Sequence, residues 1–175
     1  MTVVEFNKKF PKIHETAYIS PRAFISGDVE MGEMSSAFDF ASIRGDYSPI
    51  KIGAHTNVQD GAIVHCGAIP CRIGNNVTVG HSAVVHGATI GSNVIIGFNS
   101  SILDGVRVGD NVIVGAGAVV TAGTVIENNK LVVGNPAKVV KELDKGQLSL
   151  ILASWKSYEA IAQNYKKMLL DGTLK

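Results

Sequence analysis

The chain has 175 residues, 46% of them hydrophobic and 18% charged, with a formal net charge of +1. That length suits one domain with a core of its own; the low charged fraction excludes a disordered polyelectrolyte, and the near-neutral balance removes the electrostatic case for nucleic acid or a membrane surface as partner. No apolar run approaches the ~18 residues of a membrane span, the opening MTVVEFNKKF lacks the apolar stretch of a signal peptide, and two cysteines are too few for a disulfide framework, so the expected location is the reducing cytoplasm.

Glycine is high, 19 residues or about 11% against a usual ~7%, and the reason is a repeat. From Ile13 an inward-type residue recurs every six positions at Ile19, Ile25, Met31, Ala37 and Ile43. The series resumes at Ile52, Val58 and Val64, again at Ile73, Val79 and Val85, and finally runs from Ile90 through Ile96, Ile102, Val108, Val114, Val120 and Ile126 to Val132. Eighteen of these twenty positions are Ile or Val, where composition alone gives about four. Glycine follows directly at eight of them, among them Gly53, Gly74, Gly91 and Gly109, and a small residue such as Ala23, Ala41, Ala62 or Ala83 stands four places on. This period predicts a parallel β-helix in which each hexad is a short strand and a corner, three hexads close a triangular coil, and coils stack about 4.8 Å apart. The glycine is expected to adopt backbone conformations other residues resist.

Three hexads break the count. Those starting at Ile43 and Val64 have nine residues and that at Val85 has five; being three hexads apart, they fall on one side of a triangular coil. After residue 140 the composition turns from Val and Ile to Leu. There Leu148, Ile151, Trp155, Tyr158, Ala162, Tyr165 and Leu169 make one helical stripe. The prediction is therefore a mainly β body over residues 1–140 with a C-terminal helix over 141–175 packed along it in the same domain.

The irregular side carries the polar constellation. Arg44, His65 and His86 each follow an inward aliphatic and lie 21 residues apart, so they stack in one column; Asp39, Asp60 and His81 form a second column on the preceding hexads. Two imidazoles on neighbouring coils can share one ion at Zn–N distances of ~2.0–2.1 Å. His81 stands five residues before His86 around a corner, up to roughly 16 Å away along an extended segment, so one chain does not close all three on one ion. If all three bind, His81 comes from a second chain, and cyclic three-fold symmetry satisfies this with identical interfaces. Arg44 would then face Asp60 or Asp39 of the neighbour; the alternative is a local ion pair with Asp46. His14 and His55 have no partner in register and read as surface residues. Cys66 and Cys71 read as structural, with Cys66 facing away from His65.

At this point the sequence resembles the hexapeptide-repeat superfamily of left-handed β-helices, through segments such as IGSNVI, VGDNVI and VGAGAV and then GNPAK at Gly134 to Lys138. Within it, Arg44 and Asp46 in SIRGD, Gln59 and Asp60 in NVQDG, His65 in IVHCG, and His81 and His86 in GHSAVVHG resemble the γ-class carbonic anhydrases. The resemblance implies the left hand of the helix and a homotrimer with zinc, or iron or cobalt in its place, at each subunit interface, held by His65 and His86 of one chain and His81 of the next. It further implies that Gln59 orients the water or bicarbonate and that Arg44 and Asp60 tie the interface together. The implied reaction is reversible hydration of CO2 to bicarbonate by metal-activated water. This chain lacks the acidic loop of the best-known branch, carrying Cys66-Gly67-Ala68-Ile69 and Tyr47 at those places, which points to a slow or conditionally active anhydrase. The rival readings are an acetyl-CoA-dependent acyltransferase of the same superfamily and a non-catalytic trimeric scaffold.

Overall fold

The protein is described by a computed structural model over residues 3–173. Its body is a left-handed parallel β-solenoid of about seven coils. Most strands are only two or three residues long, because each hexad has one inward side chain before the chain must turn. The inward positions form continuous ladders: Ile43 pairs with Val64, Val64 with Val85, Val85 with Ile102 and Ile102 with Val120. Every one of these side chains is buried, and together with Ile25, Val58, Val79 and Ile96 they form one core running the length of the prism. Burying each such aliphatic contributes about 1.5–3 kcal/mol, which offsets the entropy of ordering so short a strand.

Two of the three faces are joined into one 12-stranded sheet and the third is a separate 8-stranded sheet. The joint is the long strand Ser42–Ile52, which bends from one face to the next, pairing Arg44 with His65 at one end and Ile52 with Ile73 at the other.

The glycine after the aliphatic has a role different from the one expected. Gly53, Gly74, Gly91 and Gly109 do not have positive φ; a Cβ on Gly74 would lie 2.6 Å from the carbonyl oxygen of Gly91 and one on Gly91 would lie 2.7 Å from that of Gly109. Close approach of neighbouring coils, not backbone freedom, excludes a side chain there. The left-handed turn residue comes two places later, as at Asn76, Asn93, Asn99 and Asn111, where a short amide side chain tolerates positive φ.

Two features at the C-terminal end differ in detail from the sequence reading. Ala137–Glu142 is a strand that folds back antiparallel on Lys130–Gly134, covering the edge that the last coil leaves open. The helix α1 then runs from Lys145 to Leu170, started by Asp144, whose carboxylate accepts from the Gln147 backbone while the Gln147 side chain accepts from the Asp144 backbone. It lies along the third face. Ile151 and Ala162 of the predicted stripe are buried, and Ala162 joins Tyr18 and Phe38 in a small second core that Tyr158 and Leu169 flank. Leu148 and Tyr165 at the stripe's margins stay partly exposed. Polar ties fix the docking: Gln163 donates to the Thr16 carbonyl and Lys166 to that of Ala17, and Ser154 and Thr78 share a hydrogen bond at 3.0 Å. No helix among the described residues is long and apolar enough to cross a membrane.

Candidate metal centre

The strands Ile63–His65 and Val84–His86 pair in register, so His65 lies directly beside His86 and Arg44 beside His65 on the preceding coil. The aliphatics Val64 and Val85 turn inward, which sends the next side chain outward. The two imidazoles stand with ring centroids 5.2 Å apart. Each has one nitrogen fixed by a carboxylate: His65 Nε2 donates to Asp46 Oδ1 at 2.8 Å and His86 Nδ1 donates to Asp104 Oδ1 at 2.7 Å. His65 Nδ1 and His86 Nε2 thereby keep their lone pairs. Arg44 grips the other Asp46 oxygen at 2.6 Å, so of the two readings of Arg44 the local pair is present in the single chain.

His81 stands apart, as the corner between it and His86 requires. Its Nδ1 lies 3.0 Å from Asp60 Oδ2, within ion-pair distance, and its Nε2 shares a hydrogen bond with the Tyr158 hydroxyl of α1 at 3.1 Å. Phe98 of the next coil stacks on it with centroids 5.0 Å apart. It lines a cleft of about 320 Å³ between α1 and the early coils, with Asp60, Tyr18, Phe38 and Tyr158. Burial pushes the phenols of Tyr18 and Tyr158 above their ordinary range. In the same cleft the Ser20 hydroxyl, with Arg22, holds the Asp39 carboxyl below the usual carboxylate range. Asp39 is thus engaged by Arg22 at 2.7 Å within its own chain.

Gln59 is fully buried; its Nε2 donates to Asn57 Oδ1 at 3.1 Å, while its side-chain amide oxygen Oε1 has no hydrogen-bond partner among the described residues. Tyr47 points to solvent. Cys66 and Cys71 are free and buried, in keeping with a structural role; Cys66 faces Ser48 O at 3.0 Å, and burial pushes the Cys71 thiol up to about 12.

Among the described residues no three His, Cys, Asp or Glu side chains of one chain are grouped to hold a metal ion, so His65 and His86 need a donor from elsewhere. The donor chemistry of the pair fits a metal: His65 and His86 each have one ring nitrogen held by a carboxylate, the usual support of metal-ligating histidines, whereas His81 Nε2 is engaged by Tyr158 within the single chain. Sequence reasoning missed two residues here. Asp104 was findable, since pairing of Val85 with Ile102 puts Asp104 beside Gly87; Tyr158 was not, because the stripe shows which helix face is apolar and not what it docks on. His55 was also underestimated: it bonds Glu159 of α1 at 2.5 Å and packs on Trp155, clamping the helix to the coil.

The solenoid and its short hexads define a class of protein, and comparison with known proteins agrees. The family model for the bacterial transferase hexapeptide (six repeats) matches residues 70–103 and 87–122. The carnitine operon protein CaiE of Escherichia coli is 35% identical over 161 residues, spanning 91% of this chain and 82% of its own length; that of Escherichia fergusonii is 36% identical over 156 residues, spanning 88% and 79%. Among solved structures, a hexapeptide transferase family protein from Anaplasma phagocytophilum is 31% identical with a TM-score of 0.91, covering 94% of this chain and 98% of its own. A Bacillus cereus protein described as an acetyltransferase is 37% identical with a TM-score of 0.94, covering 95% and 97%. The chain belongs to the hexapeptide-repeat family, alongside the CaiE proteins.

Proposed function

We propose that the protein is a γ-carbonic-anhydrase-like metalloprotein that hydrates CO2 reversibly to bicarbonate, at a slow or conditional rate, in a homotrimer with a metal site at each subunit interface. The observation that carries this reading is the in-register pair His65–His86, with rings 5.2 Å apart and each held by a carboxylate. His65 and His86 of one chain and His81 of the next would hold Zn2+, or Fe2+ or Co2+. Bound by three neutral imidazoles with an open position, such a cation activates water near neutral pH. The chain's own residues do the rest. Asp46 fixes the tautomer of His65 and Arg44 holds Asp46 in place, while Asp60 lies 3.0 Å from His81 Nδ1. Gln59, with its buried and unpartnered carbonyl oxygen, supplies an amide to orient water or bicarbonate. No acidic side chain follows His65, where Cys66-Gly67-Ala68 stands, so the released proton leaves to buffer, which limits turnover.

Metal analysis joined to CO2 hydration on anaerobically purified protein tests the reading. Near one metal per chain and hydration that rises on zinc or iron loading are expected; a metal-free protein inert after reconstitution with both would overturn it.

A second reading is favoured by the His81–Asp60 pair on the 320 Å³ cleft and by the likeness to a protein described as an acetyltransferase: His81 as general base of an acetyl-CoA-dependent acyl transfer. Acetyl-CoA turnover with an identified acceptor, unaffected by chelators, would favour it over hydration. A trimeric scaffold without catalysis predicts neither activity.

A further inference from the structure

We infer that Asp104 is a positioning residue for His86. This rests on the metal reading above and adds a residue to it. Asp104 belongs to the following coil. Val85 pairs with Ile102 and Gly105 N donates to Gly87 O at 2.8 Å. Asp104 then lies against Gly87 and accepts from His86 Nδ1 at 2.7 Å. Gly87 leaves that space open: a Cβ there would stand 2.2 Å from Asp104 Oδ1 and 3.3 Å from Ile69 O, at a φ of +53°. A histidine free to choose its tautomer presents a protonated nitrogen to an ion part of the time. One whose Nδ1–H is committed to a carboxylate presents the Nε2 lone pair in a fixed direction and is a more basic ligand.

The groups around His86 leave this role to Asp104. His65 faces it at 5.2 Å but is itself committed to Asp46 at 2.8 Å. Asp46 lies beyond His65, three coils from Asp104, and serves that ring. Each paired histidine thus has its own carboxylate, one contributed by the preceding coil and one by the following coil.

The test is zinc affinity of the assembled full-length chain, measured by competition with a chromophoric chelator, beside thermal unfolding and size of the metal-free proteins. Asp104→Ala should weaken zinc by ~10–100-fold while metal-free unfolding and assembly stay unchanged. Asp104→Asn, which keeps an acceptor oxygen, should lose less. Gly87→Ala should also weaken zinc by displacing the carboxylate, and in the Asp104→Ala background it should add no further loss, a coupling that a merely structural glycine would not show. Unchanged affinity in Asp104→Ala, with binding abolished by His86→Ala, would overturn the proposal and leave the metal reading standing. A loss as large as that of His86→Ala would make Asp104 a ligand and overturn its positioning role. A wild-type chain that binds no zinc would bring down the metal reading and this inference with it.

Discussion

The coils between Ile90 and Val132 keep the six-residue count without a break, whereas those between Ile43 and Val85 break it at three corners on one side. Both stretches share the same buried ladders, so the difference lies in the corners. In the regular coils the corner residues form repetitive ladders from coil to coil: Asn111 donates to Asn129 Oδ1 at 3.1 Å and the Asp110 backbone to Asn128 Oδ1 at 2.8 Å. In the irregular coils the corners carry histidines instead, each beside a carboxylate, as in His65–Asp46, His81–Asp60 and His86–Asp104, the last carboxylate coming from the first full coil of the regular stretch. A repeat of this kind is a ruler that places side chains at fixed intervals, and changing the residue count at one corner presents chemistry there without disturbing the core.

The comparison can be broken most severely in the regular coils. Ile96→Ala removes a fully buried side chain and should cost about 2–5 kcal/mol in urea unfolding. Gly97→Ala should cost about 1–3 kcal/mol by overpacking, because its Cβ would stand 2.5 Å from the Ala116 backbone nitrogen. If either variant unfolds like wild type, the ladder is not what holds the prism together.

In the irregular coils the cost should fall on binding instead. His65→Ala and His86→Ala should each weaken zinc by more than ~100-fold, beyond the range of an outer-shell change, with little change in metal-free unfolding, since both side chains face outward. A large loss of stability with unaltered zinc affinity would reverse the distinction between the two regions.

Smaller effects sharpen it near α1 and inside the core. The lowered Asp39 carboxyl, held by Ser20 and Arg22, adds stability at pH above the ordinary aspartate range of about 4. That contribution is lost as pH falls through the lowered folded-state value. Asp39→Asn should therefore be less stable at neutral pH, with the gap to wild type closing under acid; a constant gap would contradict the assignment. With Cys66 raised by burial and Cys71 at about 12, both thiols should resist iodoacetamide at mildly alkaline pH until denaturant is added. Rapid labelling of the folded chain would show that this core opens.

Much of this was legible in the sequence because a six-residue period leaves little freedom. The register that sets Arg44, His65 and His86 side by side follows from counting alone, and so does the separate corner that isolates His81. What the count does not carry is contact between coils and between helix and coil. The glycine after each aliphatic looks like a turn residue until the neighbouring backbone is placed against it, 2.6 Å from a would-be Cβ at Gly74. His55 looks unpartnered because its carboxylate, Glu159, lies 104 positions away on α1. Tyr158 reads as one more apolar contact on the stripe until its hydroxyl is found on His81. Asp104 is the intermediate case, predictable once the pairing of Val85 with Ile102 is counted.

The central claim is that the paired histidines of one chain meet the isolated histidine of another. Neither His81→Ala nor His65→Ala trimers should bind zinc. Unfolded together in equal amounts and refolded, they should regain it at about one quarter of the interfaces, those that join an intact His65–His86 pair to an intact His81 of the next subunit. Mixed trimers that form and regain no zinc would contradict the cross-subunit site.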